Sequence, residues 1–428
     1  MSAIISSKFE KPAVKFLASA FTLLFLLVFP FFSSGHSGSR EKGLVAQEEL
    51  SPDIVVARDG SGNFTTVGDA LASLNTASTQ RIVIFIKEGI YHERVVINRP
   101  NVTLVGESRK GTRIQFHLAS GSPYRGVLNI MSDGVVLKNL TVANVFPTRR
   151  HTFTLYGLGS KVVTVDCDFV SNGNDTVALW NEAGGMFYHA NCHFEGNADF
   201  LCPHGWCYIT NSTIFEVGPH APLWHDGSKN PNQKFVITNS KITGATAYPL
   251  GKYPRDHQFY LINAVFSANT KDIRDDNASE TPSDRFKYGR RVFFHNSHKL
   301  GGDSAWHANN LHTAPAAPRP EDITAKWTFD GMWDPERTDQ PKVTKVEIGK
   351  TYRTVDVTFS EPLTVRGNPV LRTKAGKELR WTGINGSAVL RFALLGKGDS
   401  VDRIELVNGA IFASEPTVKT RHADLKLK

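Results

Sequence analysis

"VVTVDCDFV" (residues 162–170) and "FYHANCHF" (187–194) share one pattern. An alternating apolar strand ends in an Asn or Asp, a small residue or a Leu follows, and then an apolar side chain returns. The same pattern occurs in "VVLKNLTV" (135–142), "CYITNSTIF" (207–215), "FVITNSKI" (235–242) and "YLINAVF" (260–266). Its polar residues are Asn139, Asp166, Asn191, Asn211, Asn239 and Asn263, whose positions step by 27, 25, 20, 28 and 24. Repetition at such a period marks a solenoid, in which each repeat buries its apolar face against its neighbours. No 3.6-residue amphipathic period accompanies the repeats between 53 and 270, so the coils are strands rather than helix pairs. An up-and-down barrel would require tight hairpin signals, and these are scarce. The reading is all-β: a parallel β-helix whose Asn side chains stack from coil to coil at one turn.

The flanks fit that frame. "FTTVGDALASLN" (64–75) reads as a short helix with Thr65 or Thr66 as N-cap and Val67, Ala70, Leu71 and Leu74 on one face. Placed at the start of the solenoid, it covers an end that otherwise exposes strand edges. From Val343 onward, short alternating strands are separated by Gly, Pro, Asn and Ser, as in a small antiparallel β-sandwich. Residues 268–342 read as irregular, with "WTFDGMWDP" (327–335) packed back on the solenoid.

The chain has 428 residues, a formal net charge of +8 and 40% hydrophobic residues, the balance of a globular protein with an acidic partner. No Lys/Arg run of nucleic-acid type is present. Lys8, Lys11 and Lys15 precede an apolar run from Phe16 to Phe32, and "SSGHSGSR" (33–40) follows. That order predicts an export signal, with an uncleaved anchor as the other reading. Cys167, Cys192, Cys202 and Cys207 do not have zinc spacing. Cys202 and Cys207 are close enough to bridge after export, or all four are buried thiols.

Chemistry is concentrated in two coils. "NGNDTVALW" (172–180) carries Asn174 and Asp175, and "EGNADF" (195–200) carries Asp199, which follows Asp175 by one such repeat. Positions one coil apart stand about one strand spacing, ~4.8 Å, from each other. Two carboxylates at that separation do not both ionise cheaply, so one serves as nucleophile or base while the other holds a proton.

Several stretches, in order, resemble the pectin methylesterase family: "VVARDGSGNFTTVGDALASL" (55–74), "IVIFIKEGIYHERVVI" (82–97) and "NVTLVGES" (101–108). "GNDT" (173–176) resembles that family's Gln-Asp-Thr motif, and "GNADF" (196–200) its Gly-Thr-Val-Asp-Phe motif. "HDGSKNPNQ" (225–233) is similar to its Gly-Arg-x-Asp-Pro-Asn-Gln stretch. The resemblance implies a right-handed, pectin-lyase-like β-helix that hydrolyses methyl esters of polygalacturonate and releases methanol. It makes Asp199 the nucleophile and Asp175 the general acid and then base. Asn174 and His151 stand where the family places two oxyanion-binding Gln residues. The family's Leu-Gly-Arg-Pro-Trp motif becomes "LGKYPRD" (250–256), which puts its Arg on Lys252 or Arg255. A Lys there supplies charge without the planar fork.

Phe200, Tyr253 and Trp180 are candidates for a sugar-stacking rim, against the reading that they are packing residues. Asn174 also fits a turn ladder, His151 a surface histidine, and Lys252 and Arg255 solvated loop charges. The expected organisation is a signal peptide (1–36), a linker (37–52), the β-helix domain (53–342) and an Ig-like β-sandwich (343–428). The expected enzyme is a secreted, periplasmic or surface esterase that works as a monomer without cofactor or metal. Its partner is pectin or a related anionic polysaccharide, with no nucleic acid and no membrane beyond the export signal. A polysaccharide lyase or glycosidase on the same fold, and a non-catalytic polysaccharide-binding solenoid, are the competing functions.

Overall fold

The computed structural model describes residues 51–118, 125–147, 151–224, 230–252, 258–272, 291–304, 307, 309–349, 354–393 and 400–427. The export signal expected at 1–36 lies outside the described residues. Among the described residues no helix is long and apolar enough to cross a membrane.

The repeats form a parallel β-helix. One sheet has ten parallel strands, from Ile54–Val56 to Val292–His295, and a second has nine, from Gly89–His92 to His298–Lys299. A third, shorter sheet holds Val95–Ile97, Leu128–Ile130, Leu155–Gly157 and Val177–Leu179. The third face continues through single bridges, Val177 to Leu201 and Leu201 to Leu223, into the pair Leu223–Trp224 and Gly251–Lys252.

Parallel register stacks like on like, so the core is built from columns with one residue per coil. Ile114, Val142, Phe169, Phe194, Ile214, Ile242 and Phe266 are register partners in succession, and all are fully buried. Phe169 and Phe194 stack at 5.8 Å. The turn between the first two sheets is the predicted ladder. Asn139, Asp166, Asn191, Asn211, Asn239 and Asn263 all adopt positive φ, between 49° and 55°. Asn and Asp tolerate that left-handed backbone better than other side chains with a Cβ. The Asn263 amide donates to Asn239 Oδ1 at 3.1 Å and accepts from Asn296 Nδ2 at 2.9 Å.

Asn296 reveals a coil that the sequence reading left as irregular. Val292–His295 and His298–Lys299 add one more turn to the solenoid, paired with Phe259–Ile262 and Val265–Phe266. Its Asn follows Asn263 at a longer interval than any that separates the earlier Asn and Asp positions, which hid it in the sequence.

The helix Val67–Ala72 forms as expected. Thr66 Oγ1 caps the Asp69 N–H, and Val67, Ala70 and Leu71 are buried. "WTFDGMWDP" does pack on the solenoid: Trp327 meets Tyr260 edge-on at 5.1 Å, and Trp206 Nε1 donates to Asp330 Oδ2 at 3.2 Å. From Val343 two three-stranded antiparallel sheets share one core, which includes Val357, Phe359, Leu371, Leu390 and Ile411. This is the small β-sandwich. All four cysteines are free and buried, so Cys202 and Cys207 are packing residues and not a bridge.

One inward column of the first sheet carries polarity. His189 stands between Thr164 and Ile209 in register, is 2% exposed, and lies with its Nδ1 2.7 Å from Thr164 Oγ1. Burial lowers its pKa to about 3. A depressed histidine pKa means that the unfolded chain binds the extra proton first. This contribution to stability is therefore intact above the unfolded value near 6.5 and is lost as pH falls toward 3. In that window the penalty grows by about 1.4 kcal/mol per pH unit. Urea melts at pH 7 and pH 5 should show this slope, and His189→Leu should flatten it. A slope unchanged in the variant would assign the acid sensitivity elsewhere.

Candidate functional site

The site lies on the third face, where regular pairing is interrupted between Val177–Leu179 and Leu223–Trp224. His151, Asp175 and Asp199 follow one another at equal intervals, one per coil. The bridge between His151 and Asn174, and that between Val177 and Leu201, put the three on consecutive coils, with His151 beside Asn174 and one residue short of Asp175.

The backbone is bent at each acid. Asp175 has φ 56°, and Ala198 and Asp199 have φ 54° and 53°. Left-handed backbone at residues with a Cβ is sparse and gathers at functional sites. The kink at 198–199 turns the Asp199 N–H to Ala221 O of the next coil, at 2.7 Å. Gly196 permits that turn. A Cβ there would stand 2.3 Å from Thr176 Oγ1 and 2.6 Å from Phe200 Cβ.

The three side chains differ in exposure. Asp175 is almost fully buried, with 2% of its side chain exposed, whereas 58% of the His151 side chain is open. His151 Nδ1 and Asp175 Oδ2 are directly hydrogen-bonded, and Asp175 Oδ1 is buried with no hydrogen-bond partner among the described residues. That hydrogen bond is the main cause of a raised His151 pKa. Partial burial opposes it, the Asp175 charge adds to it, Arg125 opposes it, and the Asp199 charge adds a further, smaller push upward. Asp199 is therefore within electrostatic reach of the imidazole. Asn174 accepts from Asn197 Nδ2 at 3.4 Å, which engages its oxygen and leaves its own amide N–H groups to donate.

A second set of side chains runs beside the first. Tyr156, Trp180 and His204 repeat at the same interval as the first set. Trp180 stacks on His204 at 5.1 Å and meets Tyr156 and Phe153 edge-on at 5.7 and 5.6 Å. The Arg125 guanidinium lies 5.0 Å from the Trp180 ring centre and 5.7 Å from that of Tyr156. A shallow groove of about 470 Å³ is lined by Tyr156, Trp180, Glu182 and His204.

The structure thus brings together Asp199, Asp175, Asn174, His151 and Trp180. Phe200 requires a correction: it is fully buried in the solenoid core behind Asp199, so it anchors the bend and cannot stack on a sugar. Lys252 lies in the short strand Gly251–Lys252 opposite Trp224. The Lys252 side chain, Tyr253 and Arg255 lie outside what the structure describes, as does most of "HDGSKNPNQ". Sequence reasoning missed Arg125, Tyr156, Asn197 and His204. The shared interval carries the signal for Tyr156 and His204. Among the described residues no group of His, Cys, Asp and Glu gathers as a metal site.

Comparison with known proteins finds relatives of the β-helix. The Pectinesterase family model matches residues 53–261. "Probable pectinesterase 49" of Arabidopsis thaliana is 28% identical over 238 residues, covering 52% of this chain and 65% of the relative. "Pectinesterase 3" of Citrus sinensis is 27% identical over 220 residues, covering 48% of this chain and only 37% of that relative's length. Among solved structures, the pectin methylesterase PemA of Erwinia chrysanthemi superposes with a TM-score of 0.55 at 21% identity, covering 67% of this chain and 99% of its own. The pectin methylesterase of Aspergillus niger gives 0.53 at 22%, covering 67% and 96%. These structural likenesses establish a common fold. The relation to the pectinesterases rests on the sequence, where the family model matches the β-helix over residues 53–261 and the curated relatives match about half of the chain.

Proposed function

We propose that this chain is an exported carboxylic-ester hydrolase that demethylates pectin. The observation that carries the reading is the coil-by-coil stack of His151, Asp175 and Asp199, with the first two hydrogen-bonded and the third beside them. An Asp199 carboxylate oxygen attacks the ester carbonyl carbon, and the Asn174 amide donates to the oxygen that becomes negative. The tetrahedral intermediate expels methoxide, which leaves as methanol with a proton from the His151–Asp175 pair, and an acyl–Asp199 anhydride remains. Water then attacks the anhydride and gives its proton back to the pair, freeing the galacturonate carboxylate and Asp199. Because Asp175 is buried beneath the imidazole, His151 is the group that meets the leaving oxygen, and Asp175 holds and charges it. This differs from the roles implied by the family's motifs, where the acid itself faces the substrate.

The aromatic groove is the substrate track in this reading. Sugar rings stack on Trp180, and Arg125 attracts the growing negative charge of the product. Trp180→Ala should raise KM for pectin by about 5- to 20-fold with kcat little changed, since the lost stacking is the same in ground and transition states. A kcat loss with unchanged KM would place Trp180 in the chemistry instead.

The lyase and glycosidase readings are separated from this one by chain length. On highly methylated pectin, ester content should fall while viscosity and the number of reducing ends stay constant. New reducing ends or new unsaturated ends would remove the esterase reading.

A further inference from the structure

The outer face of a solenoid sheet is ordinarily polar, but part of this one is not. In the first sheet, Val83, Thr103 and Val136 form one outward column, and Phe85, Val105 and Lys138 form the next. Their neighbours Ile84, Leu104 and Leu137 point into the core. The C-terminal hairpin covers these columns without filling the space beneath it. Phe412, Glu415, Thr417 and Arg421 roof a cavity of about 300 Å³ over the sheet. That volume suits a small ligand.

The cavity's charge is unbalanced. Arg81 lines it and is 5% exposed, yet among the described residues its guanidinium meets only neutral acceptors: Thr103 Oγ1 at 3.1 Å, Asn101 Oδ1 at 3.3 Å and the Ser414 carbonyl at 3.3 Å. The charges that bear on it are those of Arg99 and Arg366, both of the same sign. A buried guanidinium without an acid is costly. Arg421 lines the same space at 1% exposure. Its terminal nitrogens are engaged by Glu361 and the Asp339 carbonyl, but its Nε–H has no acceptor among the described residues. The acid of the lining, Glu415, is paired with Lys161 at 2.7 Å. Two buried donor groups therefore face a space walled by Val83, Phe85, Val105 and Val136. An inorganic anion would leave that apolar wall without contact, whereas an organic carboxylate satisfies both.

We propose that this cavity, on a different sheet from Asp199, binds one uronic-acid ring, its carboxylate on Arg81 and Arg421 Nε and its C–H face on the Val and Phe columns. The choice of a uronate rests on the pectin reading above, and the carboxylate specificity rests on the cavity alone. The site would hold the chain on de-esterified polymer ends or respond to free product.

The test is calorimetric titration of D-galacturonate into the full chain carrying Asp199→Asn, with methyl D-galacturonate as the uncharged control. Saturable binding is expected, weakened about tenfold or more for the ester and on Arg81→Met. Val105→Phe, which narrows the cavity and leaves both arginines in place, should abolish it. The proposal is overturned by no saturable binding, by equal binding of acid and ester, or by binding that both variants leave intact, which would place it in the groove. Methanol release plays no part in the readout, so failure of the esterase reading and failure of this one are told apart.

Discussion

Asp199→Asn is expected to lower methanol release by on the order of 10⁴-fold or more, because in the proposed mechanism it removes the atom that forms the acyl bond. Asn is the informative substitution here. Asp199 has φ 53°, a backbone that Asn adopts more readily than Ala, so the Asn variant keeps the bend and its hydrogen bond to Ala221. The melting temperature should therefore stay within about 2 °C of the parent, which for a chain of this size corresponds to about 1.5 kcal/mol or less. Loss of activity with unchanged melting assigns the defect to chemistry. A variant that retains a tenth of the activity would exclude Asp199 as nucleophile.

The second large effect concerns the pair that moves the proton. Asp175→Asn and His151→Ala should each reduce kcat/KM by about 10²- to 10⁴-fold. The double variant should be no worse than the weaker single one, since the two act as a unit. The pH profile separates this from a structural role. Transfer to the leaving methoxide requires the protonated imidazole, and the hydrogen bond that it donates to Asp175 holds its pKa above the ordinary 6.5. Activity should therefore fall as pH rises through that raised value. In Asp175→Asn the main cause of the shift is gone, and the alkaline limb should move toward acid. The linkage has the same sign in stability: the contact contributes fully below the unfolded value near 6.5 and is lost as pH rises through the folded one. An alkaline limb that stays in place in Asp175→Asn would remove His151 from proton transfer.

The fold was legible because a parallel β-helix repeats its chemistry in sequence. The Asn turn ladder, the capping helix and the alternating C-terminal strands each follow from local rules, and each is present. The site was legible only where its residues are both chemically unusual and one coil apart, as Asp175 and Asp199 are. His151 matched neither the family's amide nor a strand pattern, and its hydrogen bond to Asp175 emerges only when the two coils are stacked. Phe200 was misread because an aromatic beside a catalytic acid looks like a platform. The bend at 198–199 instead sends it inward, a decision made by positive φ at two residues that sequence alone does not reveal. The coil at 292–299 was missed for another reason, since a longer loop broke the period that identified the others. Tyr156, Trp180 and His204 had the right interval all along. Their residue types carry no shared chemistry, so the interval passed unnoticed.

The most direct measurement is methanol released from highly methylated pectin by the full chain, with new carboxylate titrated in the same vessel. Equimolar methanol and carboxylate, both absent with Asp199→Asn, is the result this account predicts. Neither product from the parent chain, or carboxylate without methanol, would contradict it.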